Sequence, residues 1–448
     1  MIIPLARGAL PLGKLGEILR VQIPSDISTH IPRRLVTDSR EISQGDLFCA
    51  LMGERDGHLY AKEAAAHGAV AILAEKETEA PIPHITVPST RRALADWAIA
   101  VTKAQCPLRI GITGSVGKTT VKDAVAAMLS TRFSVHATHE NLNNDLGLPF
   151  TILSAPQNTE ILICELGVNH PGEMALLSEI LRPHISVITC IGHAHIGAFG
   201  SRDGIAAEKR EILRYAEDGG TLYVPITEPL LFLLPPRGIR REGIAPFDAH
   251  TCQKYGIPFS EEDVPKNLAY AISTAIAKAC RLTDQEISEG LTRIAALQTR
   301  RKECYHNQVR IIDDGYNASP ESVMSSLLFL SRFKQGKRIA VLGDMLELGE
   351  FSCAFHHAIG RFAASCAEVL FFFGDYAYAY ACGARAAGAS FCGEETESKS
   401  HYFLLSGNQG RDARQIASHI EENDTILFKA SRALKIESLI ACVKEALF

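Results

Sequence analysis

The sequence predicts an α/β protein of three domains, and three observations predict it. The chain is 448 residues long, a length that suits about three domains. Short apolar runs alternate with helix-period stretches, most plainly in the last third, which is the pattern of a parallel sheet with helices on both faces. Between one such run and the next helix start lies a glycine turn, "GITGSVGKTT" at 111–120, of the kind that wraps phosphate.

Composition narrows the class. The chain is 46% hydrophobic and 22% charged, with a formal net charge of −5. That is an ordinary globular composition and offers no general attraction for nucleic acid. No apolar run is long enough to span a bilayer, and the start "MIIPLARGALPLGKLGEIL" lacks a signal-peptide core with a cleavage site. The twelve cysteines show neither a C-x-x-C pair nor zinc-site spacing, so they read as mostly buried, reduced thiols. Together these features predict a cytoplasmic protein.

Residues 1–100 form the first expected domain, with buried runs at Asp46–Leu51 and Ala69–Ala74 around the helical "HLYAKEAAAHG". Residues 101–300 form the second. Its strand candidates are Leu108–Ile112, Glu160–Cys164 and Ile185–Ile191, with a helix over Val121–Leu129. Residues 301–448 form the third, with strands in "VRIIDDG", "RIAVLGDM", "EVLFFFGDY" and "TILFKAS". The basic stretch "LQTRRKE" around Arg300 is the expected linker between the last two.

The glycine turn has unusual spacing. It reads G-x-x-G-K-T-T, because five residues before Gly117 stands Ile112 rather than glycine. In a strand–turn–helix frame, Lys118 reaches terminal phosphates and the Thr119 hydroxyl takes Mg2+. Ligands of open parallel sheets gather beyond the carboxyl ends of the strands. The second strand is followed by Glu165, a hard oxygen donor suited to the same Mg2+. The third runs into "GHAHIGAFGS", where spacing alone leaves His193 and His195 open between structural and ligand roles. A kinase, a regulatory nucleotidase and an ATP-dependent ligase all fit this much. A switch GTPase does not, because N-K-x-D is missing.

The chain resembles the Mur ligases along almost its whole length. The resemblance is carried by "VTDSREISQGDLFCALMGERDGHLYAKEAAAHGA", "TGSVGKTT", "NLNNDLGLPFTIL", "CELGVNHPGEM", "AHIGAFGSRDGIAAEKREIL", "IIDDGYNASPESV", "VLGDMLELGE" and "LFKASR", in that order. The short glycine spacing is the form of the loop that this family uses. The resemblance implies a small N-terminal domain that binds the UDP-sugar peptide, a central phosphate-loop ATPase domain and a Rossmann-like C-terminal domain. "DDGYNASP", where the branch that adds a single third amino acid carries D-N-P-R, and "GDMLELGE" point to the dipeptide-adding branch. The implied reaction joins D-alanyl-D-alanine to UDP-N-acetylmuramoyl tripeptide with ATP, through an acyl phosphate. A sister ligase adding one amino acid and an inactive ATP-binding scaffold are the alternatives. Folylpolyglutamate synthase shares the ATPase architecture, but "YNASP" and the N-terminal stretch fit it poorly.

The family pattern assigns roles to particular positions. Lys118, Glu165, His195 and Lys209 are the implied catalytic residues. Thr113, Gly114, Ser115, Val116, Gly117, Lys118, Thr119 and Thr120 are the implied phosphate cradle. Two Mg2+ are implied, held by Thr119, Glu165, His195 and Lys209, the last as a carbamylated lysine. Asn267, Arg301 (or its neighbour Arg300), Asp314, Tyr316 and Asn317 are implied around the rest of the nucleotide. Here "DVPKNLA" keeps only the second asparagine of the family motif. Ser39, Asn143 and Asn144 match positions facing the UDP-sugar peptide, where turn and cap chemistry is the alternative. "KASR" at Lys429–Arg432 departs from the family's K-G-S-R and receives no role. A monomer is expected, with no nucleic-acid partner and no membrane embedding.

Overall fold

The computed structural model describes residues 1–104, 107–231, 238–259, 261, 264–297, 301–391 and 399–447. Three sheets follow one another along the chain. The first has the order β1 (Ile2–Pro4), β2 (Arg34–Val36), β3 (Leu47–Cys49), β4 (Ala71–Ala74), β5 (His84–Thr86), with only β1 antiparallel. The second contains β6 (Leu108–Thr113), β7 (Val135–Ala137), β8 (Ile161–Glu165), β9 (Ile185–Ile188), β10 (Thr221–Pro225) and β11 (Arg240–Ile244). Its spatial order is β11-β10-β9-β6-β8-β7, all parallel. The third contains β12 (Lys302–His306), β13 (Val309–Asp313), β14 (Arg338–Leu342), β15 (Val369–Phe372), β16 (Ser390–Phe391), β17 (His401–Leu404) and β18 (Thr425–Lys429). They lie in the order β12-β13-β18-β14-β15-β17-β16, parallel except for β12.

Alternate residues of the central strands enter different cores. Ile110, Ile112, Ile161, Ile163, Ile185 and Val187 share one with the helices Lys118–Leu129, Val264–Ala279 and Asp284–Ala296. Leu162, Cys164, Ile188 and Leu222 enter the other. Both faces are therefore covered, which is why these strands read as unbroken apolar runs. The helix Thr90–Ala104 packs on Gly147–Ser154 and Glu173–Leu181, so the first sheet is moored to the second. Trp97 is fully buried in that seam, and Arg7 Nη2 reinforces it by donating to the carbonyls of Pro156, Gln157 and Thr159.

Two strand ends differ from the sequence reading. Glu165 is the last residue of β8, paired with Ile112, rather than the first loop residue. The ladder of β9 stops at Ile188 instead of Ile191, because Thr189 and Cys190 turn their hydrogen bonds to the neighbouring glycine loop. In the spatial order, β8 and β9 flank β6, the place where a parallel sheet opens a crevice at its carboxyl edge.

Candidate active site

Two glycines shape the loop that leaves β6. Gly114 has φ +149°, and a Cβ there would stand 1.9 Å from Thr189 Oγ1. Gly117, with φ +82°, caps the helix Lys118–Leu129 in a left-handed conformation. The exit of β9 braces this loop from beside it. Ser115 N donates to Cys190 O (3.1 Å), Thr189 Oγ1 to Val116 O (2.6 Å) and Gly192 N to Ser115 Oγ (2.9 Å). Lys118 Nζ folds back onto Gly114 O at 2.8 Å, where its cation lies along the loop. Thr113 is buried with an unpartnered hydroxyl, and Thr120 is exposed on the helix.

Glu165 is the centre of the first corner. It is 2% exposed, and its Oε2 accepts from Thr119 Oγ1 at 2.6 Å while Oε1 accepts from Asn143 Nδ2 at 2.8 Å. Thr138 Oγ1 accepts from Glu165 N at 3.0 Å, so the backbone is fixed as well as the side chain. A hydroxyl and a carboxylate held together beside a phosphate loop form the hard oxygen pair that a divalent cation such as Mg2+ takes. Among the described residues no three His, Cys, Asp or Glu side chains converge. A cation here would complete its shell with phosphate and water, as Mg2+ commonly does.

Lys209 and His195 come from the neighbouring elements. Lys209 sits in the last turn of the helix Arg202–Arg210 and is 3% exposed. Burial, reinforced by the Lys118 cation, brings its ammonium down to about 7. His195 has φ +63° and opens the short helix Ile196–Phe199. Its Nδ1 lies 2.6 Å from Glu347 Oε2, a carboxylate of the C-terminal domain. His193 likewise faces Glu321, whose Oε1 accepts from His193 N at 2.9 Å. Gly197 N donates to Glu347 O at 3.2 Å, and a Cβ on Gly197 would stand 2.7 Å from Gly349 N. The loop after β9 is thus the seam between the second and third sheets.

The third corner lies at the carboxyl ends of β13 and β18. Asp314 Oδ2 accepts from Ser326 Oγ and lies 3.1 Å from Lys429 Nζ and 3.8 Å from Arg301 Nε. Lys429 also donates to Asn317 O at 2.9 Å. Burial lowers the pKa of the Lys429 ammonium, against the pull of Asp314. Arg301 stacks over Phe329, 4.0 Å from the ring centroid. Tyr316 is 40% exposed and lies under Arg432. Arg300 lies outside the described residues. Asn267 is buried on the helix Val264–Ala279, which packs on the helix after the phosphate loop.

The structure therefore brings Thr119, Glu165 and Asn143 into one hydrogen-bonded unit and gathers Arg301, Asp314 and Asn317 around Lys429 in a second, charged cluster. Asn144 behaves as turn chemistry, with its Oδ1 accepting from Leu146 N (3.2 Å) and Gly147 N (2.9 Å). Ser39 is buried in the first domain, where its hydroxyl donates to Glu63. Sequence reasoning missed Thr138, Lys429, Glu321 and Glu347. Lys429, Glu347 and Glu321 had a signal, since "KASR", "GDMLELGE" and "IIDDGYNASPESV" were noticed without a role for these side chains.

Three family profiles match the chain. They are the Mur ligase family catalytic domain over residues 33–102, the Mur ligase middle domain over 112–234 and the Mur ligase glutamate ligase domain over 298–432. A UDP-N-acetylmuramoyl-tripeptide–D-alanyl-D-alanine ligase of Bacillus subtilis is 32% identical, covering 91% of this chain and 92% of that protein. The enzyme of the same name from Escherichia coli is 31% identical over 79% of this chain and 83% of its own. Among solved structures, MurF from Acinetobacter baumannii superposes with a TM-score of 0.84 at 26% identity, covering 99% of this chain and 100% of that one. MurF from Thermotoga maritima in complex with ADP gives 0.77 at 29% identity, covering 92% and 97%. With a phosphate loop in the short G-x-x-G-K-T-T form and relatives that match nearly end to end, this chain belongs to the Mur ligase family.

Proposed function

We propose that the chain joins D-alanyl-D-alanine to the free carboxylate of UDP-N-acetylmuramoyl tripeptide, with ATP becoming ADP and phosphate. The observation that carries this reading is the Lys118–Thr119–Glu165 corner at the carboxyl edge of the parallel sheet, in a chain whose relatives carry that name across most of their length. A carboxylate is a poor electrophile. Its oxygen attacks the γ-phosphate to give an acyl phosphate and ADP. The dipeptide amine then attacks the acyl carbon, and phosphate leaves from the tetrahedral intermediate. Both steps gather negative charge on oxygen, so clamping and alignment dominate.

Lys118 leaves the Gly114 carbonyl to hold terminal phosphate, and the loop amides hold the rest. Thr119 and Glu165 would hold one Mg2+, and His195 with Lys209 a second, the cations neutralising phosphate charge when bound. An ammonium repels a cation, but an amine brought down to about 7 by burial is about half neutral near neutral pH, and the neutral fraction takes up CO2. The resulting carbamate is an anionic oxygen ligand. Lys209→Ala retaining full ligase activity under bicarbonate depletion would remove Lys209 from this scheme.

Asp314, Arg301, Tyr316 and Asn317 serve the ribose and phosphates from the C-terminal side, and Asn267 the adenine. Asn143 positions Glu165, while Ser39 and Asn144 shape the walls of the peptide substrate's path. No helix among the described residues is long and apolar enough to cross a membrane, and nucleotide-linked substrates suit a monomeric enzyme of the cytoplasm.

The test is ADP release coupled to product mass. The enzyme receives Mg-ATP, the UDP-linked tripeptide and either the dipeptide or single amino acids. UDP-linked pentapeptide formed only with the dipeptide is the expected result. Product from a single amino acid and the UDP-linked dipeptide would move the chain to a sister ligase.

A further inference from the structure

Glu208 precedes Lys209 on the helix Arg202–Arg210 and is 8% exposed. Its carboxylate is fully engaged by backbone from another element. Oε2 accepts from Gly172 N and Oε1 from Met174 N, both at 2.8 Å. These amides open the helix Glu173–Leu181, whose capping residue Gly172 is left-handed at φ +91°. The segment from Leu166 to Pro171 joins that helix start directly to Glu165, the end of β8. One buried side chain therefore ties the exit from Glu165 to the helix that carries Lys209.

A buried carboxylate is stable only with its oxygens satisfied. The helix start supplies two donors and a favourable dipole. Neighbouring side chains on a helix diverge by about 100°, so seating residue 208 against one helix start sets the direction of residue 209. We propose that Glu208 is a positioning residue, which fixes the roll of its helix through the Gly172 and Met174 amides so that Lys209 faces the phosphate loop. This rests on Lys209 serving the active site.

The helix Glu173–Leu181 is pinned at a second point, to the turn Glu211–Leu213 and Tyr215 that follow the helix Arg202–Arg210. Ser178 Oγ donates to Ile212 O at 2.8 Å and accepts from Tyr215 N at 3.1 Å. That pin lies beyond Lys209 and supplies a control, because loosening it costs packing without releasing residue 208. Glu208→Gln keeps the shape but turns an N–H donor toward one of the two amides, leaving donor against donor.

The experiment labels lysines of the full-length enzyme with trace acetic anhydride, reads Lys209 against exposed Lys62 by peptide mass spectrometry, and measures steady-state ligation. For E208Q we expect Lys209 to label several-fold faster and kcat to fall about tenfold, with KM for D-alanyl-D-alanine within about twofold. S178A should lower Tm while leaving labelling and kcat as in the wild type. E208D, which reaches one amide, should fall between and replaces E208Q should that variant not fold. The proposal is overturned if E208Q labels and turns over like the wild type, or if S178A moves both readouts as far. Full activity of K209A would sink the role of Lys209 instead, and the labelling contrast would still report whether Glu208 orients it.

Discussion

The phosphate-loop corner and the C-terminal corner hold similar charges by different means. In the first, Glu165 at the end of a strand holds Thr119 from the helix after the phosphate loop and Asn143 from a loop of the same domain, with Thr138 fixing the Glu165 backbone. In the second, Asp314, Lys429 and Arg301 form a cluster of their own on another sheet. The second meets the first through the His193–Glu321 and His195–Glu347 contacts and the Gly197–Gly349 approach. Removing a group from the first corner should therefore cost chemistry and leave the fold intact. Removing one from the second should cost local stability or docking first. The largest expected effect is Lys118→Ala, which should lower kcat roughly a thousandfold, the scale of losing a principal charge clamp. Thermal unfolding should barely move, because the hydrogen bonds of Lys118 Nζ to the carbonyls of Gly114 and Ser115 stay within its own loop. A variant with both activity and Tm reduced in step would break the comparison.

Asp314→Ala probes the other side. It leaves the buried Lys429 ammonium without its carboxylate, and breaking a buried pair costs about 3 kcal/mol. The single tryptophan, Trp97, is buried between the first and second sheets, so its fluorescence follows unfolding there. In urea, far-UV circular dichroism should show an early transition that the Trp97 signal lacks. Coincident transitions would mean that the third sheet does not unfold separately and that the two corners share one stability.

Glu321→Gln tests the seam between them. Both partners of the His193–Glu321 pair are 30% exposed, and pairs of this kind contribute about 1 kcal/mol or less. Ligation should slow no more than about fivefold, with a matching rise in the KM for ATP as the C-terminal groups dock less often. A loss as large as that of Lys118→Ala would place Glu321 in the chemistry itself.

The same contrast explains what the sequence disclosed. The first corner is assembled from strand ends of one parallel sheet, so period, glycine spacing and the position of Glu165 located it within a residue. Strand runs in the third sheet were equally legible, because both faces are buried. The third corner was legible only by family resemblance. Asp314 and Lys429 are 115 positions apart, and no local period links a buried lysine to a distant carboxylate. The partners of Glu321 and Glu347 were unreadable for the same reason, since His193 and His195 belong to another domain. Asn144 shows the other alternative at work: Asn next to Asn beside a helix start acts as a turn cap, the role that residue type already offered.

The smallest expected effect concerns the loop that presents Glu347. His356 is fully buried and braces that loop, with Nδ1 donating to Ser352 O (2.6 Å) and Nε2 accepting from Met345 N (2.9 Å). Tyr376 stacks on the ring and Tyr380 meets it edge-on. Burial holds the imidazole below its ordinary value of 6.5, and Asp344 Oδ1, 3.9 Å from Nε2, only partly opposes this. The folded form therefore resists a proton that the unfolded chain accepts. Stability from this group is fully present above 6.5 and is lost as pH falls from there toward the depressed folded value. Protonation also converts Nε2 from acceptor to donor, which evicts the Met345 amide. Hydrogen exchange at Met345, corrected for its intrinsic pH dependence, should quicken as pH falls below about 6.5, while the amides of Gly114–Thr119 keep their protection. His356→Gln should flatten the Met345 response. Equal quickening in both segments would mean that acid loosens the whole site together, and the seam would lose its separate character.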